Sequence, residues 1–232
     1  MKHLYLLLIS IVLLSCGNER ILQLPEIETA KITEINDVSH AYLFYDETKE
    51  DSVELNRKNL IITTNWLVNV DKRLTLGQAI PKIKFLQEKK RNAELHKNED
   101  AKNYFTCNDT SINNLGFVEF TDLVYHFKEK DREQYGPKSE SVYDQIKSNI
   151  EICELHIKTL NNMTLYINLK TKIGLSIDSV VSFLQNEYES YSCKILLNLD
   201  SEITFQDYMT IKSELLKLKA KKIIIETDEF IY

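Results

Sequence analysis

The chain has little of what breaks and bends backbone: five glycines and three prolines in 232 residues. That scarcity excludes a collagen-like, linker-like or low-complexity polypeptide. A glycine-rich phosphate cradle and a Gly-x-Ser-x-Gly elbow are also missing, so two common routes to phosphate binding and acyl transfer have no signature here. Beyond residue 14 no apolar run is long enough to cross a bilayer. Positive charge is in deficit: 29 Lys and Arg against 35 Asp and Glu give a net charge of −6, which loss of Lys2 would deepen by one. Sequence-independent nucleic-acid binding needs a concentrated basic face, and that class is excluded.

What is present at the N-terminus is a basic start, Met1-Lys2-His3, followed by Leu4 to Leu14, apolar apart from Ser10. As a helix this run reaches about 16 Å, against a hydrocarbon core of about 30 Å, so it is a signal h-region rather than a span. It ends in Leu13-Leu14-Ser15-Cys16-Gly17, which resembles the lipobox of bacterial lipoproteins. The resemblance implies cleavage before Cys16 and acylation of its sulfur, and two or three acyl chains exceed what stable membrane attachment requires. Gly17 stands where an aspartate would resemble an inner-membrane retention signal, so the expected address is the bacterial outer membrane.

Residues 16–36 read as a tether, 37–127 as an N-terminal α+β domain, 128–149 as a charged linker with a Gly-Pro break, and 150–232 as a second α+β domain. In the first, Ala41 to Tyr45 and Asn59 to Val70 read as strands. Thr75 caps a helix with Leu76, Ala79, Ile80, Ile83 and Leu86 on one stripe, and Leu115 to Phe127 returns to a strand. Pro81 inside that helix predicts a bend, or a start nearer Gln78. In the second, Cys153 to Ile157 and Leu165 to Leu169 alternate about Asn161-Asn162 as a hairpin. Helices capped by Ser176 and Thr204 then alternate with Ile195-Leu196-Leu197 and Ile223-Ile224-Ile225. Apolar triplets flanking a helix predict a parallel βαβ crossover, giving the order ββαβαβ with helices on a mixed sheet. The first domain, strand-strand-helix-strand, is a candidate diverged copy of the second.

The segments Leu165-Tyr166-Ile167-Asn168, Ile195 to Asp200 leading into Ile203 to Tyr208, and Lys221 to Thr227 resemble the periplasmic domain of ExbD/TolR-type biopolymer transport proteins. That family couples proton flow through a membrane-embedded aspartate on an N-terminal transmembrane helix, which a lipoprotein signal replaces here. The resemblance therefore implies envelope-contacting surfaces and not a motor.

Residues with chemical potential are few. Cys107, near His96, Glu99 and Asp100, is the raw material of a cysteine nucleophile, and Asp46-Glu47 with Glu50-Asp51 offers paired carboxylates. Both sets also fit a packed thiol and a hairpin tip. Cys153 and His156, three apart on a strand, point to opposite faces and cannot share a metal. Cys153 and Cys193 either bridge neighbouring strands or pack as buried thiols. Twelve tyrosines offer area and a hydrogen bond together. The expectation is a lipid-anchored envelope protein, with Cys16 as attachment site and no catalytic, cofactor or metal residue, that binds an envelope protein or peptide and is open to self-association. The alternative is an envelope hydrolase using Cys107 or the acids of the first domain.

Overall fold

A computed structural model describes residues 21–94, 98–127, 150–167, 170–188, 192–220 and 222–232. Cys16, the signal segment and residues 128–149 lie outside them. The described residues form an α+β fold of two mixed six-stranded sheets and three α-helices. In chain order the first half holds β1 (Glu26–Ile27), β2 (Val38–Tyr45), β3 (Val53–Asn56), β4 (Asn65–Val70), α1 (Leu76–Arg91), β5 (Asn103–Asp109) and β6 (Asn114–Glu119). The remainder holds β7 (Val124–Phe127), β8 (Glu151–Thr159), β9 (Asn162–Ile167), β10 (Lys170–Leu175), α2 (Ile177–Glu187), β11 (Cys193–Leu199), α3 (Phe205–Leu216) and β12 (Ile223–Ile231).

The helices capped by Ser176 and Thr204 start where the sequence places them, and the first starts at its Thr75 cap and not nearer Gln78. Thr75, Ser176 and Thr204 each accept a backbone N–H from the first turn, and Gln78 closes a capping box on Thr75. The first helix begins at Leu76 and carries Pro81 within it. Its Lys90 turns inward: the ammonium donates to the Thr64 and Lys102 carbonyls and to Asn103 Oδ1, 5.0 Å from the Trp66 ring centroid. The predicted crossover is present, with β11 and β12 parallel.

Several readings change, and β3 and β5 are strands that the sequence reading does not contain. The strand expected over 59–70 is a turn followed by β4, because Ser39 Oγ accepts the Ile61 N–H and the Trp66 indole donates to the Ile61 carbonyl. The strand expected over 115–127 is two: β6 pairs with β5, whereas β7 crosses to the other sheet and runs parallel to β12. Within the segment read as a spacer, Glu26–Ile27 pairs with β5 and Ile27 is buried. Finally β10, absent from the sequence reading, extends the β8–β9 hairpin by backbone pairing; most of its side chains are exposed, with Lys172 lying over the Phe183 ring and Leu175 packed on the core.

The two sheets share one plan. The first runs β3-β2-β4-β5-β1 and the second β9-β8-β11-β12-β7, with β10 added at one edge and β6 paired to β5. In both, the outer hairpin partner is antiparallel and the three following pairings are parallel. Two of the helices pack across: α1 against β7 of the second sheet, α3 against β1 of the first. One apolar cluster consequently runs from Ile27 and Ala41 through Phe105 and Phe205 to Ile231, and Phe105 meets Phe205 edge-on at 5.2 Å.

Candidate functional site

The sequence-derived chemical candidates do not assemble into a reactive centre. Cys107 is fully buried on the inner face of β5, and burial, aided by the Asp109 charge, pushes its thiol up to about 12. A thiol so far from ionising is no nucleophile at neutral pH. Asp46 sits in the β2–β3 turn, where its Oδ1 accepts the Thr48 N–H and hydroxyl, and Glu47 is exposed on that same tip. Asp51 pairs with Lys82 at 2.8 Å, which holds its carboxyl below the ordinary value. His96 lies outside the described residues. Cys153 faces the core and His156 the opposite face of β8, where it meets the Tyr166 ring edge-on at 4.9 Å. Among the described residues no group of His, Cys, Asp and Glu is placed to hold a metal.

Cys153 and Cys193 are free thiols, both buried on the inner face of neighbouring strands β8 and β11. Tyr188 ties this corner together: its hydroxyl donates to Glu151 Oε2 at 2.6 Å and lies 3.2 Å from Cys153 Sγ. A second polar cluster is sealed beneath α3. Tyr208 donates to Glu229 Oε2 at 2.7 Å, Lys212 donates to Glu229 Oε1, and Tyr125 lies 3.4 Å from the Tyr208 hydroxyl. Glu229 and Tyr208 have no exposed surface. Burial and the neighbouring Glu229 carboxylate push both tyrosine hydroxyls well above their ordinary value. Four of the twelve tyrosines, Tyr104, Tyr125, Tyr188 and Tyr208, are thus core residues.

The half-exposed rings lie elsewhere. On the face of β2 opposite Ala41 and Leu43, His40, Tyr42 and Phe44 form a stacked ladder with centroids 6.1 and 5.9 Å apart. Beside the ladder the same face is covered: Ile32, Ile35 and Val38 pack on Leu67, Tyr104 and Phe117. Residues at the matching register of β8 are Glu154, His156 and Lys158, since Ala41 and Leu43 stand to β4 as Leu155 and Ile157 stand to β11. Of these only His156 carries a ring, so the three-ring ladder has no counterpart in the second sheet. Alternation of His40, Tyr42 and Phe44 with Ala41 and Leu43 is a period-two signal that could have revealed the ladder in the sequence. No family model, curated protein or solved structure matches the chain.

Proposed function

We propose that this is a lipid-anchored protein of the bacterial envelope, acylated at Cys16, that works as a non-catalytic binding or accessory module in envelope assembly or transport. The observation that carries the binding role is the His40–Tyr42–Phe44 ladder. Three stacked rings remain half-exposed on a sheet face whose neighbouring part is covered, at positions where the second sheet has Glu154, His156 and Lys158. Aromatic side chains offer large rigid area at low entropy cost, which is how binding surfaces concentrate energy. The anchor rests on Leu13 to Gly17, and the transport context on the ExbD/TolR-like segments of the second half. The partner is an envelope protein or peptide.

The test is site-specific photocrosslinking from position 54 or 56, which pair with Phe44 and Tyr42 on the ladder's face, in the full-length, lipidated protein within native envelopes. A discrete crosslinked species that Tyr42→Ala plus Phe44→Ala abolishes, while thermal unfolding of the purified protein stays cooperative, is the expected result. An unchanged crosslink in the double variant would overturn the ladder as the binding face.

A further inference from the structure

The loops leading into α1 and α3 repeat one another in their turn and capping bonds. The sequences are Asn69-Val70-Asp71-Lys72-Arg73-Leu74-Thr75-Leu76 and Asn198-Leu199-Asp200-Ser201-Glu202-Ile203-Thr204-Phe205. In each, the Asp N–H donates to the neighbouring parallel strand, at Leu43 and Ile157 respectively. Its Oδ1 accepts the N–H two residues on, from Arg73 and Glu202. Its carbonyl accepts the N–H three residues on, from Leu74 and Ile203, and the following Thr caps the helix.

These loops also bind each other, reciprocally. Leu76 N–H donates to the Ile203 carbonyl at 2.9 Å and Phe205 N–H to the Leu74 carbonyl at 2.6 Å; Gly77 N–H donates to Ser201 at 2.8 Å and Gln206 N–H to Lys72 at 3.1 Å. Thr75 and Thr204 sit opposite one another as an isolated antiparallel bridge. One constant residue step relates 72 to 201, 74 to 203, 75 to 204, 76 to 205 and 77 to 206, so the contact is its own image under a two-fold rotation through the Thr75–Thr204 bridge. A self-complementary patch of this kind is what an isologous dimer interface presents. The same rotation exchanges the two sheets with their matching strand order, and the crossed packing of α1 on β7 with that of α3 on β1.

We propose that the chain is a fused dimer: two copies of one sheet-and-helix unit joined end to end, each recognising the other through the crossing of residues 71–77 with 200–206. The partner that this surface fits is a second copy of the unit, and it is supplied within the chain. The proposal is independent of the anchor and of the ladder. The copies differ by the β10–α2 segment, which stands only between β9 and β11, by the 3-10 turn Lys217–Ala220 after α3, and by β6, which stands only after β5.

The test is a reciprocal transplant in the full chain. Residues 71–77 are replaced by the sequence of 200–206, residues 200–206 by that of 71–77, and then both at once. Under two-fold equivalence the double exchange restores every facing pair with the roles reversed, so it melts cooperatively at a higher temperature than either single exchange. A double exchange no more stable than the weaker single one overturns the proposal. Should the transplants fail to fold, amide hydrogen exchange on the unaltered protein decides. The N–H groups of Leu76, Gly77, Phe205 and Gln206 exchange within about tenfold of one another as one cooperative unit, and a hundredfold split between the two pairs contradicts it.

Discussion

Lys212→Met is the perturbation whose cost follows most directly from the structure. Glu229 is wholly buried on β12, and its carboxylate is met by the Lys212 ammonium on one oxygen and the Tyr208 hydroxyl on the other. Lys212 is itself 12% exposed, so solvent screens the pair little. Removing one partner of a buried ion pair costs about 3–5 kcal/mol, because an uncompensated charge stays in a low-dielectric site. In a domain of this size that is a fall of roughly 6–20 °C in melting temperature. The first half shows how the site can be rebuilt: by the residue step of the crossing loops Lys212 matches Ile83, and by strand register Glu229 matches Phe105, both buried and apolar. Lys212→Ile with Glu229→Phe therefore recovers most of the loss, the remainder being about 1–3 kcal/mol for the Tyr208 hydroxyl left without its acceptor. Urea unfolding of the wild type, Lys212→Ile, Glu229→Phe and the double variant gives the coupling. A loss under about 1 kcal/mol for Lys212→Met, or a double variant as unstable as the sum of the singles, would refute both the buried-pair argument and the equivalence of the two halves.

Lys90 provides a pH test. Burial holds it at about 8 rather than its ordinary 10.5, so between those values the unfolded chain binds more protons and stability rises with pH. Wild type gains about 1 kcal/mol on Lys90→Met between pH 7 and 9 in paired urea titrations; a flat difference contradicts the buried ammonium. Cys107, Cys153 and Cys193 are buried, so an alkylating reagent at neutral pH labels them only at the rate of unfolding. Rapid labelling of Cys107 in the folded protein would instead support a thiol nucleophile. Gly116→Ala tests the segment that follows β1: the added Cβ would stand 2.4 Å from the Ala30 Cβ. Crowding of that order costs about 1–3 kcal/mol and raises protease cleavage near residue 30, whereas an unperturbed melt means that this segment is not packed on β6.

The sequence carried the elements whose burial is local. Thr75, Ser176 and Thr204 announce helices because a capping hydroxyl and a three-four apolar stripe lie within one short window. Glu26–Ile27, Val53–Asn56 and Lys170–Leu175 were not legible as strands, since short edge strands gain from backbone pairing with distant segments and leave no strong alternation. The switch of Val124–Phe127 to the second sheet is non-local in the same way. The repeat was visible only as a shared order of elements, because β10 and α2 lengthen one copy between equivalent strands and throw the spacings out of step. At the candidate site, composition marked Tyr42 only as one of twelve tyrosines. Its stacking on His40 and Phe44 needed the strand, and the Lys212–Glu229 pair needed the fold to bring helix and strand together.

The anchored binding role is tested most directly by intact-mass and N-terminal peptide analysis of protein purified from native membranes. The account predicts a mature chain beginning at Cys16, its sulfur carrying a diacylglycerol, and release of the protein into the soluble fraction on Cys16→Ser. An unprocessed Met1 terminus with a free Cys16 thiol, or wild-type protein recovered in the soluble fraction after lysis, would contradict it.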